Sequence, residues 1–261
     1  MDQKNRKSNF NNVNPSSVSL QGRCVTGIKE LDSQLNGGIP LGNTVLLVGS
    51  SGSGKTTLSM QFLTNGAKKG ERGVFFTITE PLFKLTKNME SFDFYDKSLI
   101  EEGMVNLIDL RIISERLGLN REKYSWEDAG ALLGVLKDIA EELDAQRLII
   151  DSVTALCYRL QSKERIRDFI FKLGSSLSVM NCTTLLTSEV PPHTFQFSQH
   201  GIEEFIADGI IFLGDIERRG DLIRTLQIVK MRGTSHVRTK SSMCISSKYG
   251  VELAPLLKSR M

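Results

Sequence analysis

The sequence predicts an α/β fold in three layers, with helices on both faces of a mostly parallel central sheet. Three observations predict it. Short apolar runs at 45–48, 74–78, 105–110, 147–150 and 183–187 alternate with longer segments whose apolar residues recur at helical spacing, which is the rhythm of βαβ units. The first run feeds a glycine-serine turn and then a helix, in the stretch VLLVGSSGSGKTTLSM at 45–60. Finally, 261 residues with no internal repeat suit one large α/β domain. We expect that domain over 21–256, after an Asn/Ser/Lys-rich tail at 1–20 and before frayed residues at 257–261.

Taken in order, Ile28, Leu31 and Leu35 lie at helical spacing, and Asn36-Gly37-Gly38 ends that helix. Ile39-Pro40-Leu41-Gly42 then turns into the strand at 45–48. Gly49, Ser50, Ser51, Gly52, Ser53, Gly54, Lys55 and Thr56 fit G-x-x-x-x-G-K-[ST] at every position. Glycines without Cβ let the loop bring its amides onto a polyphosphate, and the helix beginning at Gly54 adds its N-terminus. In that pattern Lys55 reaches the β/γ-phosphates and the Thr56 hydroxyl ligates Mg2+. Thr57 completes the expected ATP-binding set. Without a ligand, the same residues would be only a glycine-rich strand–helix turn.

The next apolar strand delivers Glu80 at its C-terminal end, where ligands of open α/β sheets bind. Glu80 could equally cap the helix that Pro81 opens. Residues 82–103 read as one helix with Leu82, Leu85, Met89 and Phe92 on its buried face, and 105–110 as a strand. Residues 111–126 carry little pattern; Trp126 there suits either a cover for an apolar edge or a subunit contact. A helix at 127–143 precedes Arg147-Leu148-Ile149-Ile150-Asp151, a strand tipped by the carboxylate expected to hold the Mg2+ shell, partly through water. After a helix at 163–180, the strand from Thr183 ends in Ser188 and Glu189. The loop at 190–203 contains no Lys or Arg, so contact with nucleic-acid phosphates is disfavoured there. Strands at 210–213, 243–246 and 251–253 close the fold. Lys230 and Arg232 stand two residues apart at a strand end, a spacing that projects both to one side and suits either charge stabilisation of a transferring phosphoryl group or a solvated basic turn after an edge strand.

Several of these stretches resemble a known family. GIKELDSQLNGGIPLGNTVLLVGSSGSGKTT, IIDSVTAL, HGIEEFIADG and LIRTLQIVKMRGTSH look like the RecA-type ATPases of the KaiC-like branch. The resemblance runs over about 22–256 and implies a RecA-like P-loop fold and Mg-dependent ATP hydrolysis. It makes Glu80 the residue that polarises the attacking water, with Lys55 beside it in catalysis, and it makes Ser188 and Glu189 weaker candidates for sensing the γ-phosphate. It also makes Lys230, Arg232, Thr234 and His236 contacts to the nucleotide of a neighbouring subunit in a homo-oligomer, expected to be a hexamer. KaiC-like domains often carry two adjacent glutamates where this chain has Thr79-Glu80. Self-phosphorylation is not expected, because Glu204-Phe205 stands where the second half of KaiC carries Ser and Thr.

A net charge of +3 is too small to predict nucleic-acid binding and weighs against it, and 40% hydrophobic with 24% charged residues is ordinary for a globular chain. Cys24, Cys157, Cys182 and Cys244 form no C-x-x-C pair and read as free thiols. With no apolar run long enough for a membrane span, we expect a cytoplasmic protein. Its output would pass to an unidentified protein partner. The alternatives are a recombinase-like DNA-binding ATPase and an ATP-binding scaffold that scarcely hydrolyses.

Overall fold

A computed structural model describes residues 22–116, 126–158, 160, 162–194 and 196–256. The expected tails, residues 1–20 and 257–261, lie outside them. The strands in chain order are β1 (Arg23–Cys24), β2 (Ile39–Pro40), β3 (Thr44–Gly49), β4 (Gly73–Thr77), β5 (Val105–Asp109), β6 (Arg147–Asp151), β7 (Thr183–Glu189), β8 (Gly209–Arg218), β9 (Asp221–Met231), β10 (Ser241–Ser246) and β11 (Gly250–Pro255). The helices are α1 (Lys29–Gln34), α2 (Lys55–Ala67), α3 (Leu82–Met89), α4 (Ser98–Glu101), α5 (Leu110–Arg116), α6 (Trp126–Glu142), α7 (Val153–Cys157), α8 (Lys163–Val179) and α9 (Glu203–Ile206).

The main sheet runs β11-β10-β9-β8-β3-β7-β6-β4-β5. Strands β8, β3, β7, β6, β4 and β5 are parallel, while β9, β10 and β11 add an antiparallel flank. Alternation along each strand supplies two cores. Leu46, Val48, Phe76 and Ile150 pack with α6 and α8, whereas Val45, Leu47, Phe75 and Ile149 pack with α1, α2 and α3. The result is the expected three-layer fold. It places the end of β3, and the loop that follows, at the middle of the sheet between β7 and β8.

One buried cation joins the layers at the opposite end. Arg147, fully buried, donates to Val25 O (2.9 Å) and Phe62 O (2.7 Å), pairs with Glu71 at 2.5 Å, and lies 4.4 Å from the Phe62 ring centroid. It occupies the space above Gly66, where a Cβ would stand 2.1 Å from its Nε. Cys24, Cys157 and Cys182 are buried free thiols, and Cys244 is exposed. Burial pushes Cys24 and Cys182 up to about 11, so neither supplies a thiolate nucleophile near neutral pH.

Two expected elements are corrected. The single helix over 82–103 is broken into α3 and α4, because the chain between them turns Phe94 into the core and bonds Asp93 N–H to Ser247 O (2.8 Å). Asp96 then starts α4 by accepting from Ser98 N and Oγ at 3.0 and 2.7 Å. The patternless stretch after 110 begins as the helix α5, where the Asp109 carboxylate accepts from Arg111 N–H at 3.0 Å. The side chain of Trp126 is not among those described.

Candidate functional site

Asp151 and Glu189 stand where parallel strands end, and Lys55 and Thr56 open the helix that follows the end of a third, β3. β3 runs to Gly49, whose Cβ position is closed by Leu213 O at 2.6 Å and Ser53 Oγ at 2.5 Å. The loop then turns through Gly52 (φ +79°) and Gly54 (φ +101°), left-handed geometry that favours glycine. At Gly54 a Cβ would also stand 2.6 Å from Ile245 Cδ1, so packing as well as backbone demands glycine there. α2 starts at Lys55 with no side-chain cap. Its first amides are thus left to an anion.

Lys55 lies across this loop and donates to Gly49 O and Ser50 O, both at 2.9 Å. Burial lowers its pKa, against the opposing pull of the Glu189 and Asp151 carboxylates. Thr56 Oγ1 donates to Asp151 Oδ2 at 2.8 Å, and Thr187 Oγ1 donates to Asp151 Oδ1 at 2.6 Å. Both oxygens of the β6 carboxylate are therefore aimed from neighbouring elements. A 430 Å³ cavity opens beside them, lined by Ser51, Gly52, Gly54, Lys55, Thr56, Thr57, Thr79, Asp151, Glu189, Arg224 and Ile245. The structure thus gathers most of the expected loop residues, the expected metal ligands and Glu189 on one wall. Ser53 is buried beneath it, its hydroxyl without a partner. Ser188 is fully buried, with its hydroxyl 3.3 Å from Thr154 Oγ1, so it supports the strand end from behind.

Glu80 sits differently from the expectation. Thr79 lines the cavity, while the Glu80 carboxylate accepts from Asn88 Nδ2 on α3 at 2.9 Å. Thr77 Oγ1 also donates to Glu80 O at 2.7 Å. The carboxylate is thereby held toward α3.

Arg224 and Ile245 are cavity residues that the sequence reading missed. Arg224 shares the face of β9 that carries Leu226 and Ile228 into the core above α2. Counting back by twos from those residues finds it, but only once β9 is known to border β8. A register shift between Ile210 and Ile211 then displaces Lys230, and Met231 returns to the core face in its place.

Lys230 and Arg232 are far from their own loop. Lys230 pairs with Ile210, which lies beside Leu46, and Arg232 N–H donates to the carbonyl of Asp208, whose own N–H donates to Thr44 O at the start of β3. The five steps from Thr44 to Gly49 span about 17 Å, beyond the reach of an arginine side chain. Lys230 Nζ donates to Ala207 O (2.7 Å) and Glu204 O (3.2 Å), and Arg232 Nη1 pairs with Asp208 Oδ1 at 3.2 Å. Thr234 Oγ1 donates to Ser235 O (3.0 Å), and His236 Nε2 is buried without a partner. All four expected neighbour-facing residues lie on one segment, 230–236, which begins at the end of the sheet opposite the cavity.

Among the described residues no group of three or more His, Cys, Asp or Glu could hold a metal unaided, and no helix is long and apolar enough to cross a membrane. Comparison with known proteins agrees with the geometry. Residues 24–258 match the KaiC family of ATPases. A UPF0273 protein of Methanopyrus kandleri is 36% identical over 89% of this chain and 92% of its own length. Circadian clock protein KaiC3 of Synechocystis is 34% identical over 88% of this chain but 45% of its own. This chain therefore spans about half of such a clock protein. The crystal structure of a KaiC-like protein from Pyrococcus horikoshii superposes with a TM-score of 0.78 at 34% identity, covering 90% of this chain and 99% of that one.

Proposed function

Because the chain belongs to the KaiC family of ATPases, we propose that it hydrolyses Mg-ATP at sites shared between subunits of a cytoplasmic homo-oligomeric ring, a hexamer. Its nucleotide state would be read by a protein partner. One observation carries the reading. The cavity is lined by most of the phosphate loop of one chain, while the cations Lys230 and Arg232 stand at the far end of that chain's sheet. Cations so placed serve a phosphate only if it belongs to another copy.

The residues fit a magnesium ion. Thr56 Oγ1 and Asp151 Oδ2 are 2.8 Å apart, close to the edge of about 3 Å between adjacent ligands of an octahedral Mg2+, which takes few protein ligands and keeps several waters. When bound, the metal neutralises charge on the β- and γ-phosphates. The loop amides and Lys55 orient the γ-phosphoryl group, and Arg224 adds a cation from the same chain. Glu80, released from Asn88, takes the proton of the attacking water as its oxygen bonds to phosphorus and ADP leaves. Arg232 of the neighbour stabilises charge on the equatorial oxygens.

The Asn88–Glu80 bond favours a second reading, an ATP-bound switch that hydrolyses only slowly. Phosphate release by wild type and Lys55→Ala, with Mg2+ and with excess chelator, tests the first. We expect turnover that either change abolishes. Equal release from Lys55→Ala would remove the loop from the chemistry, whereas tight ATP binding with negligible release would select the switch.

A further inference from the structure

The turn between α9 and β8 is bonded both to the first residue of β3 and to the segment that carries Arg232. Asp208 is the hub of that arrangement. Its N–H donates to Thr44 O (2.7 Å), and its carbonyl accepts from Arg232 N–H (2.8 Å). Its carboxylate accepts from Thr44 N–H through Oδ2 (3.1 Å) and from Arg232 Nη1 through Oδ1 (3.2 Å). Asn43 Nδ2 donates to Arg232 O at 3.1 Å, so the arginine backbone is held at both its amide and its carbonyl.

We propose that Asp208 is the positioning residue for Arg232, fixing the guanidinium at the edge of one subunit so that it meets the phosphates of the next. The proposal rests on the shared-site reading above. A guanidinium has five N–H donors, and Asp208 engages one group of them through a single oxygen. The Arg232 side chain is 58% exposed, so its remaining donors face outward, free for an oxyanion. Lys230 is the poorer candidate for that contact. Its ammonium is committed to two carbonyls of its own chain, and burial together with the Arg232 charge lowers its pKa.

An exposed ion pair adds little to stability, so the Asp208–Arg232 contact is better explained by aim than by fold. Asp208 holds the arginine in one orientation before the neighbour arrives, which lowers the ordering cost of the shared site. Asparagine cannot replace it. Its single acceptor oxygen cannot serve both Arg232 and the Thr44 amide, and its NH2 would face a donor.

Subunit mixing tests the idea in the assembled protein. Asp208→Asn alone should lower kcat about 10-fold or more with KM for ATP within about twofold, as misplacing a catalytic group does. Mixed one to one with Lys55→Ala before ATP is added, it should recover about a quarter of the wild-type rate, the fraction of random neighbour pairs in which both halves are intact. Arg232→Ala mixed in the same way should recover equally. If the Arg232→Ala mixture recovers and the Asp208→Asn mixture does not, Asp208 acts inside its own subunit and the positioning role is overturned. Wild-type kcat in Asp208→Asn would overturn it too, leaving the shared site intact. If neither mixture recovers, the shared-site reading itself fails.

Discussion

The sequence predicts Glu80 at the end of its strand, but β4 ends at Thr77 and Glu80 follows three residues later; Thr79 forms the cavity wall and Asn88 holds the glutamate. Position along a strand sets where a side chain starts, whereas its hydrogen-bond partner sets where its carboxylate ends. Asn88 lies eight residues further on, across a turn, and no motif announces it. The pairing has a kinetic consequence. Glu80→Gln should lower kcat about 10²-fold, the usual worth of a general base, with ATP affinity unchanged. Asn88→Ala, which removes the restraint, should raise kcat several-fold above wild type. Single-turnover phosphate release measures both, and a slower Asn88→Ala enzyme would mean that Asn88 aims the base instead of restraining it.

At the scale of elements, the strand–loop–helix unit at 45–60 was legible because each residue type had one role there. Gly52 and Gly54 meet a left-handed backbone, Lys55 lies across the loop, and Thr56 bonds to Asp151. The helix expected over 82–103 failed for the opposite reason. Local spacing fitted a helix, but burial of Phe94 and the bond from Asp93 to Ser247 come from residues distant in sequence. Arg147 likewise reads as an ordinary strand-opening cation, but it is the clamp between β6, α2 and the segment before α1. Arg147→Ala should destabilise the protein by about 3–5 kcal/mol, since it strands the Val25 and Phe62 carbonyls and leaves the Glu71 carboxylate unpaired. A fall in the urea midpoint at constant slope measures this. A midpoint unchanged within error would mean that water replaces the guanidinium.

For the whole molecule, the separation of the cavity from Lys230 and Arg232 is the feature with the widest consequence. Under the proposed function, it makes hydrolysis a property of neighbouring chains. The mass from light scattering should therefore rise with ATP and Mg2+ from the 29.1 kDa chain toward about six times that value for a closed ring. Specific activity should rise with protein concentration over the same range. Arg232→Ala should assemble and stay inactive. Full wild-type turnover by a species of single-chain mass would refute the shared site.

The sequence by itself determined the layer architecture, the phosphate loop and the strand ends that carry Asp151 and Glu189. These depend on apolar periodicity and on residues close together in the chain. Only the tertiary structure decided which side chains meet. Arg224 reaches the cavity because β9 lies beside β8. Asp208 reaches Arg232 because the α9–β8 turn folds onto the start of β3. Such contacts arise from strand order and register, which pair residues dozens of positions apart, and no local pattern encodes the distance between two ends of one sheet.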